Sequence, residues 1–338
     1  MPILRSAEHD ENLSAVVISR RSLMYTAGAD ARADRPAHIR AASSLAWVNG
    51  QIALIQDDAN FVALIDAHGG DAQAIVLPRG DGGKRQFDDL RGNKKFKLDL
   101  EACVAIAGEG GPTLLAFGSG SKRRRRHVVA VDLWEAEAPR VAVHDASSFY
   151  ERLELETAFA GSDMNIEGAL VVADAVRFFG RGNGKSRDGL HALNATCDVP
   201  LRSLLVYLRD AERAVPPAPD NITQYALGDL AGTPLGFTDA TILGDAVLYS
   251  ATAEQSDDAS TDGPVTGSVL GVIERDGRVR CTTITDQSGR PFCEKVEGVL
   301  RSQTSTQSVY VVVDADDPTR PSELCEIALR GRWASGFS

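Results

Sequence analysis

Apolar residues along this chain fall in short runs rather than in helical stripes. "SLAWV", "IALIQ", "TLLAFG", "VLYSA" and "SVYVVV" are rich in β-branched and aromatic residues, and clusters of Gly, Asp, Asn and Pro separate them. Such runs read as strands and such clusters as turns. Asn49-Gly50 between two runs is a strong hairpin signal, and Asp276-Gly277 marks a second.

The strands recur as a unit: an apolar strand, a tight turn, a second strand, a polar loop, then one or two more strands. Copies are legible over about 43–78, 99–143, 165–228, 237–285 and 294–330. Repeats of this size, each a small antiparallel sheet, predict an all-β fold, a β-propeller, as one domain over 1–338. Five blades are expected. The fifth copy lacks a fourth strand, and the strands "LSAVVIS" and "SLMYTAG" near 13–28 are expected to supply it and close the ring; a sixth blade built partly from them is the alternative.

One segment follows a different period. Leu201, Leu204, Leu205 and Leu208 are spaced for one face of a helix, which "PPAPD" then ends. This predicts a single inserted surface helix near 200–213, packed over the rim. The polar stretch 78–97 is expected to be a mobile linker.

Composition narrows the function. With 338 residues, 43% hydrophobic and 25% charged, the chain can bury a large core. A net charge of -11 argues against nucleic acid and membrane surfaces, both polyanionic. No apolar run approaches the roughly 20 residues of a membrane helix, and "MPILRSAEHDENL" shows no secretory h-region. The five cysteines, Cys103, Cys197, Cys281, Cys293 and Cys325, form no C-x-x-C pair, which suits reduced thiols and a cytoplasmic location.

The repeat also organises the charges. In a propeller the innermost strands line a central channel, and here their first residues are Glu101, Glu167, Asp239 and Glu297, with Ser43 and Ser44 at the matching place in the first copy. Gly168 and Gly298 follow two of the glutamates and would allow close backbone approach at a narrow opening. Four carboxylates within about 10 Å would not all stay ionised unaided. A calcium ion held by Glu101, Glu167, Asp239 and Glu297, with a carbonyl from Asn165, would relieve them. Neutralisation by the protein's own basic groups is the rival. Loops expected at the same mouth carry Lys122 and Arg123 to Arg126, then Arg181, Asn183, Lys185 and Arg187. Others carry Asp57, Asp58 and Asn60, Asp257 and Asp258, and Asp314, Asp316 and Asp317. Such a face suits a small anionic, phosphorylated molecule gripped by guanidinium groups.

Other motifs read more plainly. "KRRRR" is also the composition of a solvated edge. "GRGNGKS" lacks the spacing of a Walker loop, and "VVVDADDP" lacks the Gly and distal Glu of an EF-hand. None of the six histidines sits beside a G-x-S-x-G elbow.

"LEACVAI…LLAFGSGSKRRRR", "NIEGALVV…FFGRGNG", "GFTDATIL…LYSATAE" and "KVEGVL…VVVDADDPTRPSELCEI" resemble a family of bacterial β-propeller proteins of unestablished activity. That family is itself similar to the phytase-like (esterase-like phytase) propellers. The resemblance spans the chain from about Ser43 and implies a propeller with a central site lined by Asp and Glu. By more distant analogy it implies a calcium-dependent phosphoesterase.

The expectation is therefore a metal-dependent hydrolase. Glu167 or Glu297 would take a proton from water, and Arg124, Arg126, Arg181, Asn183 and Lys185 would hold the substrate. The alternatives are a non-catalytic propeller that binds a ligand or protein partner, and a lactonase- or glycosidase-type hydrolase.

Overall fold

A computed structural model describes residues 2–108, 110–134, 138–255 and 263–334, except for the side chain of Asp81. Asp257 and Asp258 lie outside the described residues.

The chain opens with β1 (Ile3–His9) and β2 (Ser14–Ser22). Five units follow. The first is β3 (Ala42–Val48), β4 (Gln51–Gln56), β5 (Phe61–Ile65) and β6 (Gln73–Val76); the second is β7 (Leu100–Ala107), β8 (Pro112–Gly118), β9 (His127–Asp132) and β10 (Arg140–Asp145). The third is β11 (Ile166–Val172), β12 (Ala175–Gly180), β13 (Asn194–Pro200) and β14 (Asp220–Ala226). After the short β15 (Asp229–Leu230), the fourth is β16 (Thr233–Leu243), β17 (Ala246–Glu254), β18 (Val265–Ile273) and β19 (Val279–Thr285). The last is β20 (Lys295–Arg301), β21 (Ser308–Asp314) and β22 (Glu323–Arg330). Consecutive strands within each unit pair antiparallel. Between β3 and β4, Asn49 and Gly50 both take positive φ (48° and 76°), as the expected two-residue hairpin requires.

The fold is all-β and propeller-like because of how these units bury their faces. Apolar residues of each unit meet those of the next: Ile55 of the first beside Leu114 of the second, Phe117 beside Phe178, Phe179 beside Phe237, Leu248 beside Val299, and Leu300 beside Leu45 of the first again. The leading strands β3, β7, β11, β16 and β20 lie side by side in that order, and β20 returns to β3.

Closure comes from the N-terminus, with one difference from expectation. β2 pairs antiparallel with β22 and gives the last unit its fourth strand. Residues 23–28 do not continue it. Met24 and Tyr25 make only isolated bridges, to His38 and Ala72. β1, which the sequence pattern did not single out, runs parallel to both β14 and β19 and laces the third unit to the fourth.

Two further departures concern the connections. α3 (Leu201–Arg209) is present where expected and buries Leu204, Tyr207 and Leu208. It has company: α1 (Ser147–Glu154) and α2 (Thr157–Ala160) pack Phe149, Tyr150, Leu153 and Phe159 into the same core. The stretch 78–97 is anchored by fully buried Phe87, by Gln86 on Asp34, and by Asp88 on Arg40 (3.0 Å). No helix among the described residues is long and apolar enough to cross a membrane.

Candidate functional site

The same irregularity recurs in all five leading strands. Each pairs with its neighbour in a register that skips one residue: Ser43, Glu101, Glu167, Thr238 and Glu297. A bulge at that point leaves one residue unpaired and re-aims its side chain. In three units that residue is a glutamate, and all three glutamates line one central mouth.

Asp239 does not join them. It sits one place after the bulge, where the other units have Ser44, Ala102, Gly168 and Gly298, and a one-residue shift turns a strand side chain to the opposite side. It is 1% exposed, and its Oδ2 accepts from Val299 N (3.0 Å) and Ser44 Oγ (3.2 Å). Burial raises its carboxyl well above the usual range. The equivalent of the glutamates in this unit is Thr238, whose hydroxyl bonds Ser250. The glycines do allow close approach. A Cβ on Gly168 would lie 2.9 Å from the Asp239 Cα, and one on Gly298 would lie 3.1 Å from the Ser43 carbonyl oxygen.

The mouth is otherwise a band of paired charges. In one arc Lys97 Nζ lies 2.6 Å from Asp57 Oδ2 and 2.7 Å from Asp99 Oδ1, and Arg125 Nη1 lies 2.9 Å from Asp99 Oδ2. In the other, Arg181 donates to Glu254 (2.7 Å) and faces Glu167 (3.7 Å), while Lys295 meets Glu297 (3.0 Å) and Asp316 (3.2 Å). Asn165 donates to Glu167 Oε1 (2.5 Å). Glu101 makes no hydrogen bond or ion pair among the described residues, and Glu297 Oε2 is buried without a hydrogen-bond partner. The free space at the centre is about 40 Å³, room for about three ordered waters. A larger ligand would rest on the rim.

Seven carboxylates line this mouth against five cationic side chains, so two negative charges remain unbalanced. Burial pushes several of these carboxyls toward their protonated forms, which offsets the excess. Burial, with Glu297 nearby, lifts Glu167 to about 8 despite Arg181. Burial lifts Asp57 to about 7 against the pull of Lys97, and burial with Asp57 and Glu167 lifts Glu101 well above its ordinary range. Burial acts on Asp99 as well, but Lys97 and Arg125 overcome it and hold that carboxyl at about 2.

The basic residues are sorted differently from the sequence expectation. Arg181 and Asn183 line the mouth. Within "KRRRR" it is Arg125 that enters, because a 3-10 turn over Arg123–Arg125 points it inward, with Ser121 Oγ accepting at 3.0 Å. Arg124 instead lies over the Phe96 ring (5.3 Å), Arg126 pairs with Glu154 of α1 (2.8 Å), and Lys185 is exposed outside the mouth.

Lys97, Asp99, Glu254 and Lys295 are not singled out by the sequence pattern, although a signal for two of them, Asp99 and Lys295, is present. Asp99-x-Glu101, Asn165-x-Glu167 and Lys295-x-Glu297 repeat one spacing, a polar residue two places before each glutamate at the start of a leading strand.

Calcium on Glu101, Glu167, Asp239 and Glu297 does not fit these residues. Asp239 is turned away, and Arg181 and Lys295 already stand at Glu167 and Glu297. Asp57, Asp99 and Glu101 do offer three oxygens within 4.8 Å of one another, but the Lys97 ammonium contacts two of those groups.

The chain belongs to a family of unknown function, DUF6929, which matches residues 38–329. Comparison with curated protein sequences finds no match. Among solved structures it is similar to glutaminyl cyclase from Myxococcus xanthus, at 10% identity over 98% of this chain and 99% of that one (TM-score 0.46). It is also similar to a GH43_1 enzyme from Xanthomonas citri, at 12% identity over 92% and 90% (TM-score 0.44). A third is the PQQ-bound aldose sugar dehydrogenase from Streptomyces coelicolor, at 9% identity over 95% and 100% (TM-score 0.37).

Proposed function

We propose that this protein is a single-domain, five-bladed β-propeller whose mouth hydrolyses a small anionic, phosphorylated ester by carboxylate acid–base chemistry. The observation that carries this reading is the convergence of Glu101, Glu167 and Glu297, each at a strand bulge, into one mouth lined by cations. Glu167, protonated near neutrality and held by Asn165, would donate its proton to the leaving oxygen. Glu297, anchored through Oε1 by Lys295, would use its unpartnered Oε2 to take a proton from the attacking water. Arg181, Asn183 and Arg125 would bear the substrate's negative charge, in place of Arg124, Arg126 and Lys185. Its free thiols agree with a cytoplasmic setting.

The test is a panel of phosphate esters, lactones and aryl glycosides assayed with the wild type, Glu167→Gln and Glu297→Gln. Each substitution should lower kcat by roughly 10²–10⁴-fold on whichever class is turned over. Equal rates in all three proteins would sink the catalytic reading. A lactonase or glycosidase would show the same dependence on the two glutamates but a different active class. One observation favours a second reading, a non-catalytic binding mouth: Lys97 and Lys295 each already contact two carboxylates closely, which is a recognition surface of paired charges. Under it the variants would lose ligand-induced stabilisation and no hydrolysis would be seen.

A further inference from the structure

Lys97 occupies an unusual place. It is 6% exposed, on the lead-in to β7, and its ammonium stands 2.6 Å from Asp57 Oδ2 and 2.7 Å from Asp99 Oδ1. Those distances are close to the 2.3–2.6 Å at which calcium meets oxygen. Asp57, Asp99 and Glu101 together present three oxygens within 4.8 Å of one another, enough for one side of a hard-cation shell. Asp99 is 1% exposed, and its Oδ1 is buried with the Lys97 ammonium as its ion-pair partner at 2.7 Å. Glu101 completes the trio with no partner of its own among the described residues.

Holding three carboxylates this close, with Asp99 buried and Asp57 and Glu101 half-buried, is costly unless a cation stands among them. Of the three carboxylates Arg125 reaches Asp99 alone, at Oδ2 (2.9 Å). The group inside is the Lys97 ammonium, tethered by the chain and therefore present at unit occupancy whatever the metal concentration.

We propose that Asp57, Asp99 and Glu101 form a cation site whose resident ion is the Lys97 ammonium, so that a divalent cation enters only when Lys97 is removed. This stands whether or not the mouth is hydrolytic. It assigns to one lysine the electrostatic role that the sequence pattern assigns to calcium. It also locates the site in the first and second units rather than around the whole ring.

The test compares the full-length wild type with Lys97→Met, in excess chelator and in millimolar calcium, by thermal melting and by terbium luminescence titration. The wild type should melt at the same temperature in both and bind no terbium at the mouth. Lys97→Met should melt lower than the wild type in chelator, recover by several degrees in calcium and bind one terbium. Adding Glu101→Gln to Lys97→Met should abolish that binding. A wild type that is stabilised by calcium or weakened by chelator overturns the proposal. So does a Lys97→Met chain that folds and ignores both, or that stays unfolded in calcium as well as in chelator.

Discussion

Glu167 is 6% exposed, and its protonation ties the chemistry of the mouth to the stability of the molecule. Its folded value near 8 lies above the ordinary value of a glutamate, so between about pH 5 and 8 the folded chain holds a proton that the unfolded chain has released. The stability from this group is complete below the ordinary carboxylate range and is lost as pH rises through about 8. One such proton is worth at most about 1.4 kcal/mol per pH unit. Glu167→Gln removes it, while Arg181 keeps Glu254 as its partner. The free-energy difference between variant and wild type, from urea midpoints at pH 5, 6.5 and 8, should therefore move in the variant's favour as pH rises. Parallel curves would mean that Glu167 is ionised throughout.

At the scale of the strand, the bulge decides which side chains reach the mouth, and the glycine after it decides how closely the strands approach. A Cβ on Gly168 would meet the Asp239 backbone at 2.9 Å, a contact that no side-chain rotation relieves. Gly168→Ala should cost roughly 1–3 kcal/mol of stability by overpacking. The equivalent residue of the second unit is already alanine, so Ala102→Gly should have a much smaller effect. Matched denaturation curves for the two variants decide this; comparable losses would disprove the close-approach argument. The hairpins, the Glu-Gly starts and the shared mouth of first strands and second-strand ends were legible in the sequence because each has a local cause. The placement of Asp239 was not: "FTDATI" matches "NIEGAL" acid for acid, and only the pairing register shows that Thr238 is the counterpart of Glu167. Nor could the sequence say which arginine of "KRRRR" turns inward, since a single 3-10 turn selects Arg125. Phe149 and Leu153 have the spacing of one helical face, but they lie between strand runs, which hides α1 in the sequence.

At the scale of the molecule, closure depends on a segment far in sequence from what it closes. β2 is the fourth strand of the last unit, and Leu13, Ala15 and Val17 complete the core between the last two units. Burial of Leu13 and Val17 is worth roughly 3–6 kcal/mol between them, a large part of the 5–15 kcal/mol that separates folded from unfolded domains. Removing residues 2–22 would also strip a partner from β22 and from β19 and leave unpaired strand edges that invite association. Removing 2–10 alone deletes β1 and spares β2, so the last unit stays four-stranded. The longer deletion should melt roughly 4–8 °C below the wild type from these two side chains alone and elute as aggregate on size exclusion, given that 1 kcal/mol moves a chain of 338 residues by about 1.4 °C. The shorter deletion should remain monomeric and lose much less. If the two truncated chains melt together, ring closure by β2 is not what holds the molecule, and the cost of either deletion lies in the lacing by β1.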